Sequence, residues 1–323
     1  MRAVFASAFH PDDPLAGLVV GERPEPVLPA PDWVTVEVRA SSLNHHDLWS
    51  LRGVGLAEAE LPMILGCDAA GVDEHGNEVV VHAVIGSPVR GDETLDPRRS
   101  LLSEHYQGTM ADRVVVPAQN LLPKPAGLSF PEAACAPTAW LTAYRMLTTR
   151  GGVGPDQAVL VVGAGGGVAT AAVVLAQALG ARVYGSSRDP EKRERVAELG
   201  AITVEPGARL PERVDVVIET VGAATLEHSI KSTKPGGRIV VSGATSGHAA
   251  TVDLRRIFFL QQQLLGSTMG TRTELSELLE LMAGSKIRPV VDTVFPFPEA
   301  RSAFARLASG EVFGKLVLDH TAS

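Results

Sequence analysis

Residues 159–189, VLVVGAGGGVATAAVVLAQALGARVYGSSRD, constrain the fold more than any other stretch, because they read strand, glycine-rich turn, helix, strand without a break. Residues 159–162 form an apolar run suited to a buried parallel strand. The glycines among residues 163–167 let backbone approach a ligand closely, and the helix that follows offers unpaired N–H groups and a positive dipole end. That combination predicts a dinucleotide with its pyrophosphate at the turn, in contact with Gly165, Gly166, Gly167 and Val168. Aligned at the Gly-Val-Ala step, the fingerprint is Ala164, Gly166 and Ala169, with alanine replacing the first and third glycines; read from Gly163, the turn is one residue longer. A glycine pattern alone would also fit a tight turn with no nucleotide. Here a second strand, residues 182–186, arrives about 20 residues on, where the ribose-reading residue is expected.

That second strand also selects the nucleotide. An aspartate or glutamate at its end would accept from ribose hydroxyls, whereas this chain offers Ser186, Ser187, Arg188 and then Lys192. Hydroxyls and cations suit a 2′-phosphate, so NADPH is expected over NADH. Asp189 precedes Pro190 and reads as a helix N-cap. The competing reading of Arg188 is an ordinary solvated surface residue.

At 323 residues the chain exceeds a single core, and two domains are expected. The net charge of −8 gives no footprint for nucleic acid or an anionic membrane. Two cysteines, Cys67 and Cys135, make no disulfide framework, and a cytoplasmic location follows as the expectation. Apolar runs such as residues 171–179 are too short to span a bilayer. The first third reads as short strands, among them residues 34–38, 78–84 and 111–116, broken by prolines. A helix starts at Ser129 with Pro131 in its first turn and runs into TAWLTAYRML. After the fingerprint, strands at 214–219, 237–242 and 263–267 alternate with helices such as 223–232, the turn Lys234-Pro235-Gly236-Gly237 lying between helix and strand. This predicts a doubly wound parallel sheet. A tail of helix 274–285, strand 290–295, helix 298–307 and strand 314–318 is expected to return to the first domain, placing the cofactor in a crevice between lobes.

Taken in order, SSLNHHDLWSLRG from Ser41, LPMILGCDAAG from Leu61, GTMADRVVVP from Gly108, AACAPTAWLTAYRML from Ala133, the fingerprint, EKRERVAELGA from Glu191, KPGGRIVVSGATSG from Lys234, LLGSTMG from Leu264 and FGKLVLD from Phe313 resemble the medium-chain dehydrogenase/reductase superfamily over nearly the whole chain. Within it the chain is similar to the zinc-independent quinone oxidoreductase branch. The resemblance implies an α/β protein with a GroES-like, mostly β catalytic domain at 1–121, a Rossmann domain with a doubly wound parallel sheet at 122–271, and a return to the catalytic domain at 272–323. It implies hydride transfer, a small-molecule substrate and a homodimer. It also implies cofactor contacts at Asn44, His45, Thr142, Val221, Gly243, Ala244, Thr245, Ser267, Thr268, Met269 and Lys315. A surface ion pair explains Lys315 equally well. Asp47 of the N-x-x-D pattern is expected to be structural, and the Phe258-Phe259-Leu260 run to be core or a dimer seam.

Zinc-dependent relatives carry a cysteine where this chain has Asn44, a Gly-His-Glu motif where it has Gly66-Cys67-Asp68, and a later cysteine near Thr138. The four-cysteine structural lobe is also missing. No metal is therefore expected, although Cys67, Asp68 and His46 are all legitimate ligand types. Without a metal, a quinone or conjugated alkene is the natural hydride acceptor, its developing negative charge met by hydrogen-bond donors. His46 is the leading proton donor, with Tyr106, Tyr144 and solvent as rivals. The histidines could equally be plain surface residues. Two other functions stay open: a zinc-dependent alcohol dehydrogenase, and an NADPH-binding protein with little turnover. Substrate contacts are expected from residues 51–61 and 84–106, which do not specify a ligand.

Overall fold

Valines alternating with polar residues from Trp33 onward build a ten-residue strand, Trp33–Ser42, and the first unit of the molecule is organised around it. In this computed structural model, which describes residues 1–285 and 287–322, the strand pairs antiparallel with Asp68–Asp73, Arg113–Pro117 and Lys315–Asp319. The sheet runs in the order 121–123, 78–81, 68–73, 33–42, 315–319, 291–296, with 113–117 paired off this path. A smaller sheet joins Arg2–Ala6 to Leu18–Glu22 and Met63–Ile64. Leu18, Leu51, Met63, Leu65, Met110, Phe297 and Phe304 close the core beneath it. The unit comprises Met1–Ala139 and Gly270–Ser323. The second unit is Trp140–Met269.

The second unit is a six-stranded parallel sheet in the order 202–204, 182–186, 158–162, 214–219, 233–241, 263–266. This is the doubly wound arrangement, and its order reverses at the central strand Ala158–Val162. That strand is buried throughout, as expected for a parallel strand covered on both faces. Helix Gly167–Ala178 follows it and buries alanines and valines against the sheet. Small side chains let helix and strand pack closely.

Several elements differ from expectation for local reasons. The helix expected from residue 223 begins at Leu226, because residues 220–225 are bent into a loop by Glu219. The turn expected at Lys234–Gly237 lies inside the strand Thr233–Val241, which absorbs it as an irregularity in its pairing with Val214–Glu219. The strand expected over 78–84 is split into Glu78–Val81 and Val84–Ile85, the second pairing with Ser100–Leu101. The helix expected from residue 298 starts as the single 3-10 turn Phe297–Glu299 before Ala300–Ser309. Ser129 does cap its helix: its hydroxyl accepts from Glu132 N and its own N–H donates to the Glu132 carboxylate.

Candidate active site

In the second unit the expected cofactor residues Gly165, Gly166, Gly167, Val168, Ser186, Ser187, Arg188, Val221, Gly243, Ala244, Thr245 and Ser267 all lie at or just beyond the carboxyl ends of the parallel strands. Doubly wound sheets bind ligands there. The helix Gly167–Ala178 has no side-chain cap at Gly166, and a Cβ on Gly166 would meet nothing within 4 Å. Its first N–H groups are thus open to an anion, as a pyrophosphate requires. Gly165 has a φ of +157, and a Cβ there would come within 2.9 Å of Lys192 Cδ. The missing side chain lets Lys192 lie along the turn. Ala164 N donates to Ser186 O at 2.7 Å and ties the turn to the ribose-reading strand.

Ser186 and Ser187 are buried at that strand's end, and Arg188 is exposed. Asp189 is the expected N-cap, its carboxylate accepting from Glu191 N at 2.9 Å and Lys192 N at 3.4 Å. It is therefore engaged by its own helix. Arg193, which sequence reasoning passed over, donates to Ser187 O at 2.8 Å and Arg188 O at 3.1 Å and so holds the loop. The signal was its position four residues after an N-cap, one turn into the helix. Thr142 is buried in the helix Leu141–Arg145, flanked by the π-helical segments Ala136–Trp140 and Met146–Arg150. Met269 adopts a left-handed backbone with φ 48, a strained state for a side chain of this size.

In the first unit, strand register assembles a buried polar network around Asp68, whose Oδ1 is left without a hydrogen-bond partner. Ser42 faces Asp68 across one strand boundary and Val317 across another. Asp68 is fully buried, and its Oδ2 accepts from Ser42 Oγ at 2.6 Å, Asn44 Nδ2 at 2.8 Å and Lys315 Nζ at 3.3 Å. Lys315 is buried too and also donates to Asn44 Oδ1 at 2.6 Å and Leu43 O at 2.7 Å. An ammonium has three protons, and here each has an acceptor. The surface ion pair weighed for Lys315 is thus corrected: the pair exists, but inside the domain, where the register of three strands places it.

Asn44 also starts the helix His45–Leu51. Its backbone N–H donates to Asp47 Oδ2 at 2.8 Å, while Asp47 Oδ1 accepts from Gly66 N at 3.1 Å. Asp47 is structural in this sense, joining the helix start to the Gly66-Cys67-Asp68 segment. Burial pushes its pKa up to about 6, against the pull of His46 and the Asn44 N–H. His46 Nε2 is buried and has no hydrogen-bond partner. Packing around the ring, then the charges of Lys315 and Arg52, lower the pKa of His45, although the side chain keeps contact with solvent. A neutral His45 can donate an N–H to an anion but brings no full charge. The Tyr106 ring lies 4.8 Å from Trp33 in a tilted contact and 4.9 Å from His105 edge-on, and lines a cavity of about 320 Å³ with Arg23, Pro24, Pro26 and Pro29.

Two family models match the chain: the alcohol dehydrogenase GroES-like domain over residues 30–126 and the zinc-binding dehydrogenase domain over 167–284. A zinc-type alcohol dehydrogenase-like protein of Schizosaccharomyces pombe is 31% identical over 89% of this chain and 91% of its own. A structure described as an NAD-dependent alcohol dehydrogenase is 36% identical, covers 99% of both chains and superposes with a TM-score of 0.90. The chain belongs to the medium-chain dehydrogenase/reductase superfamily. Another member, the 2-octenoyl-CoA carboxylase reductase CinF in complex with NADP and 2-octenoyl-CoA, is 26% identical over 98% of this chain and 87% of that one, with a TM-score of 0.90.

The superfamily's zinc does not fit the residues found here. Asn44 and Asp68 are bound to the Lys315 ammonium, and a second cation beside it would be repelled. Cys67 donates its proton to Leu102 O at 3.2 Å, and burial, then the charge of Asp47, hold its thiol well above the usual range. Burial likewise pushes Cys135 up to about 12. Metal-binding sulfur must be deprotonated, and here each thiol proton is donated to a backbone carbonyl, Leu102 O for Cys67 and Pro131 O for Cys135. Among the described residues no three His, Cys, Asp or Glu side chains converge as a metal site. The lobe without cysteines is organised by carboxylates: Asp96 accepts from Ser87 N and Arg98 N, and Asp92 from Thr94 N.

Proposed function

We propose that this chain is an NADPH-dependent reductase that delivers hydride to a conjugated acceptor, a quinone or an enone-type alkene, without a metal. The observation that carries the reading is the buried ammonium of Lys315, bonded to Asn44 and Asp68 at positions matching the superfamily's zinc ligand set. NADPH rather than NADH is supported by Ser186, Ser187, Arg188 and Lys192 beside an Asp189 spent on its own helix. CinF, solved with NADP and an enoyl thioester, supports both the phosphorylated cofactor and an α,β-unsaturated carbonyl as acceptor.

When bound, NADPH supplies a hydride to the carbon β to a carbonyl or quinone oxygen, whose double bond shifts to leave an enolate. His46 is the group we assign to meet that charge, because its Nε2 is buried and lacks a partner within the chain. The open N–H groups after Gly166 hold the pyrophosphate, and in the first unit a neutral His45 has an N–H to offer an anion. The Lys315, Asp68 and Asn44 network keeps the start of the His45–Leu51 helix in one place, and so fixes the two histidines.

A homodimer is supported by Leu254, Phe258 and Phe259, which are 71%, 68% and 81% exposed on a helix beside the edge strand Gln263–Gly266. No helix among the described residues is long and apolar enough to cross a membrane, and both cysteines are free, which fits the cytoplasmic reading. The 36% likeness to an NAD-dependent alcohol dehydrogenase favours a second reading, alcohol oxidation.

The test is nicotinamide absorbance with quinones, enones and enoyl thioesters, alongside elemental analysis. We expect NADPH consumption with at least one class and no stoichiometric zinc. His46→Ala should lower kcat by roughly a hundred-fold or more. Bound NADPH that no acceptor oxidises would favour the binding-protein reading. Stoichiometric zinc with chelator-sensitive alcohol oxidation would establish the dehydrogenase.

A further inference from the structure

Glu219 ends the apolar strand Val214–Glu219 and is fully buried. Among the described residues no cation pairs with it. Its charge is met instead by the loop it begins. Oε1 accepts from Val221 N at 2.8 Å, Gly222 N at 3.0 Å and Thr225 Oγ1 at 3.0 Å. Oε2 accepts from Ser229 Oγ at 2.6 Å and Thr225 Oγ1 at 3.0 Å. A buried carboxylate costs several kcal/mol unless such partners are in place, so this one stabilises a single conformation of residues 220–225.

That conformation is latched on two sides. Val221 O accepts from Ser246 N at 2.8 Å and Ser246 Oγ at 2.7 Å, which binds the loop to residues 243–247 beyond the next strand. On the other side Val221 Cγ2 lies 2.7 Å from where a Cβ on Gly163 would sit. Gly163 opens the glycine turn in a left-handed conformation, with φ +70. Glu219 thus sets the position of the wall formed by residues 220–225 against the turn.

The sheet order says which half of the ligand that wall serves. The ribose-reading strand Arg182–Ser186 lies on one side of the central strand, and Val214–Glu219 on the other. In this arrangement one mononucleotide half falls on each side of the reversal. We propose that Glu219 is a positioning residue for the nicotinamide half: it does not touch the cofactor, but through Val221 and Gly222 it shapes the wall beside which that half lies. The inference rests on the NADPH reading above.

The test is fluorescence titration of full-length Glu219→Gln with NADPH and, in parallel, competition by adenosine 2′,5′-bisphosphate, which carries the adenosine half alone. Glutamine keeps the shape and one acceptor but removes the charge. We expect NADPH to bind about ten-fold more weakly, the size of losing charge-assisted hydrogen bonds, while the bisphosphate stays within about two-fold of wild type. Equal losses for both ligands would mean a general structural role and overturn the proposal. No loss for either would overturn it as well. Ser229→Ala removes a single donor and should give the same split at roughly two- to five-fold if the glutamine variant does not fold. Wild-type protein that binds the bisphosphate but not NADPH would sink this proposal while leaving the phosphate site standing; wild type that binds neither would sink the NADPH reading first.

Discussion

The two polar sites of this molecule are built on opposite plans. At the glycine turn of the nucleotide-binding unit the binding groups are backbone N–H groups left open at Gly166, with side chains held back. Around Asp68 in the β unit the groups are side chains, and they are closed on each other through Lys315. The first plan leaves its hydrogen-bonding capacity for a ligand; the second spends all but the Asp68 Oδ1 acceptor on contacts within the chain. Substitutions in the two places should therefore fail in different ways.

The largest effect is expected from Lys315→Met. It strands the Asp68 carboxylate in the interior and should cost roughly 3–5 kcal/mol in urea unfolding, the range for breaking a buried pair. Lys315→Met with Asp68→Asn should recover most of that loss, whereas a lysine that served only the cofactor would give a stable single variant with weak NADPH binding. Gly166→Asp makes the opposite case. Space is open at its Cβ, so folding should change little, but a carboxylate at the anion site should weaken NADPH at least thirty-fold, about 2 kcal/mol. A large drop in stability there would mean that the turn is packed as tightly as the Asp68 network.

The smallest effect concerns acid. Burial, above all, holds His320 down to about 3, with Ser41 Oγ 2.8 Å from its Nε2. The unfolded chain, with an ordinary histidine pKa near 6.5, then binds the proton more readily than the folded one. Its contribution to stability is present above pH 6.5 and is lost as the pH falls from there toward 3, by about 1 kcal/mol between pH 6.5 and 5.5. Asp47, raised to about 6, acts in the other sense: its share is lost as the pH rises from about 4 to 6. Comparing urea midpoints of wild type and His320→Gln across pH 5.5–7.5 isolates the histidine, and parallel curves would show that it carries no such linkage.

The same contrast explains what could be read from the amino acids alone. The nucleotide site is written in consecutive residues: strand, glycines, helix and a serine-rich strand end all fall within residues 159–189. The spacing of missing side chains names its geometry. The Asp68 network joins residues 24 to 272 positions apart, and only the register of Trp33–Ser42 against its neighbours brings them together. Asp68 was legible as an acid at a zinc-ligand position of the family, but its buried counterion was not. Glu219 was missed for a related reason, since an acid closing an apolar strand looks like the first exposed residue of a loop. Arg193 was hidden among the charges of EKRER, where its place four residues after the N-cap is the one local sign that its guanidinium turns back to the backbone.

The return of residues 270–323 to the first unit has a consequence for how the molecule is made. A ribosome completes the nucleotide-binding unit as one uninterrupted stretch, while the β unit begun before it still lacks the strand Lys315–Asp319 beside its central strand. Until residue 315 is synthesised, the buried carboxylate of Asp68 waits 247 residues for its cation. The unit begun first is therefore the later one to mature, and its electrostatic closure reports that the strand Lys315–Asp319 has been translated.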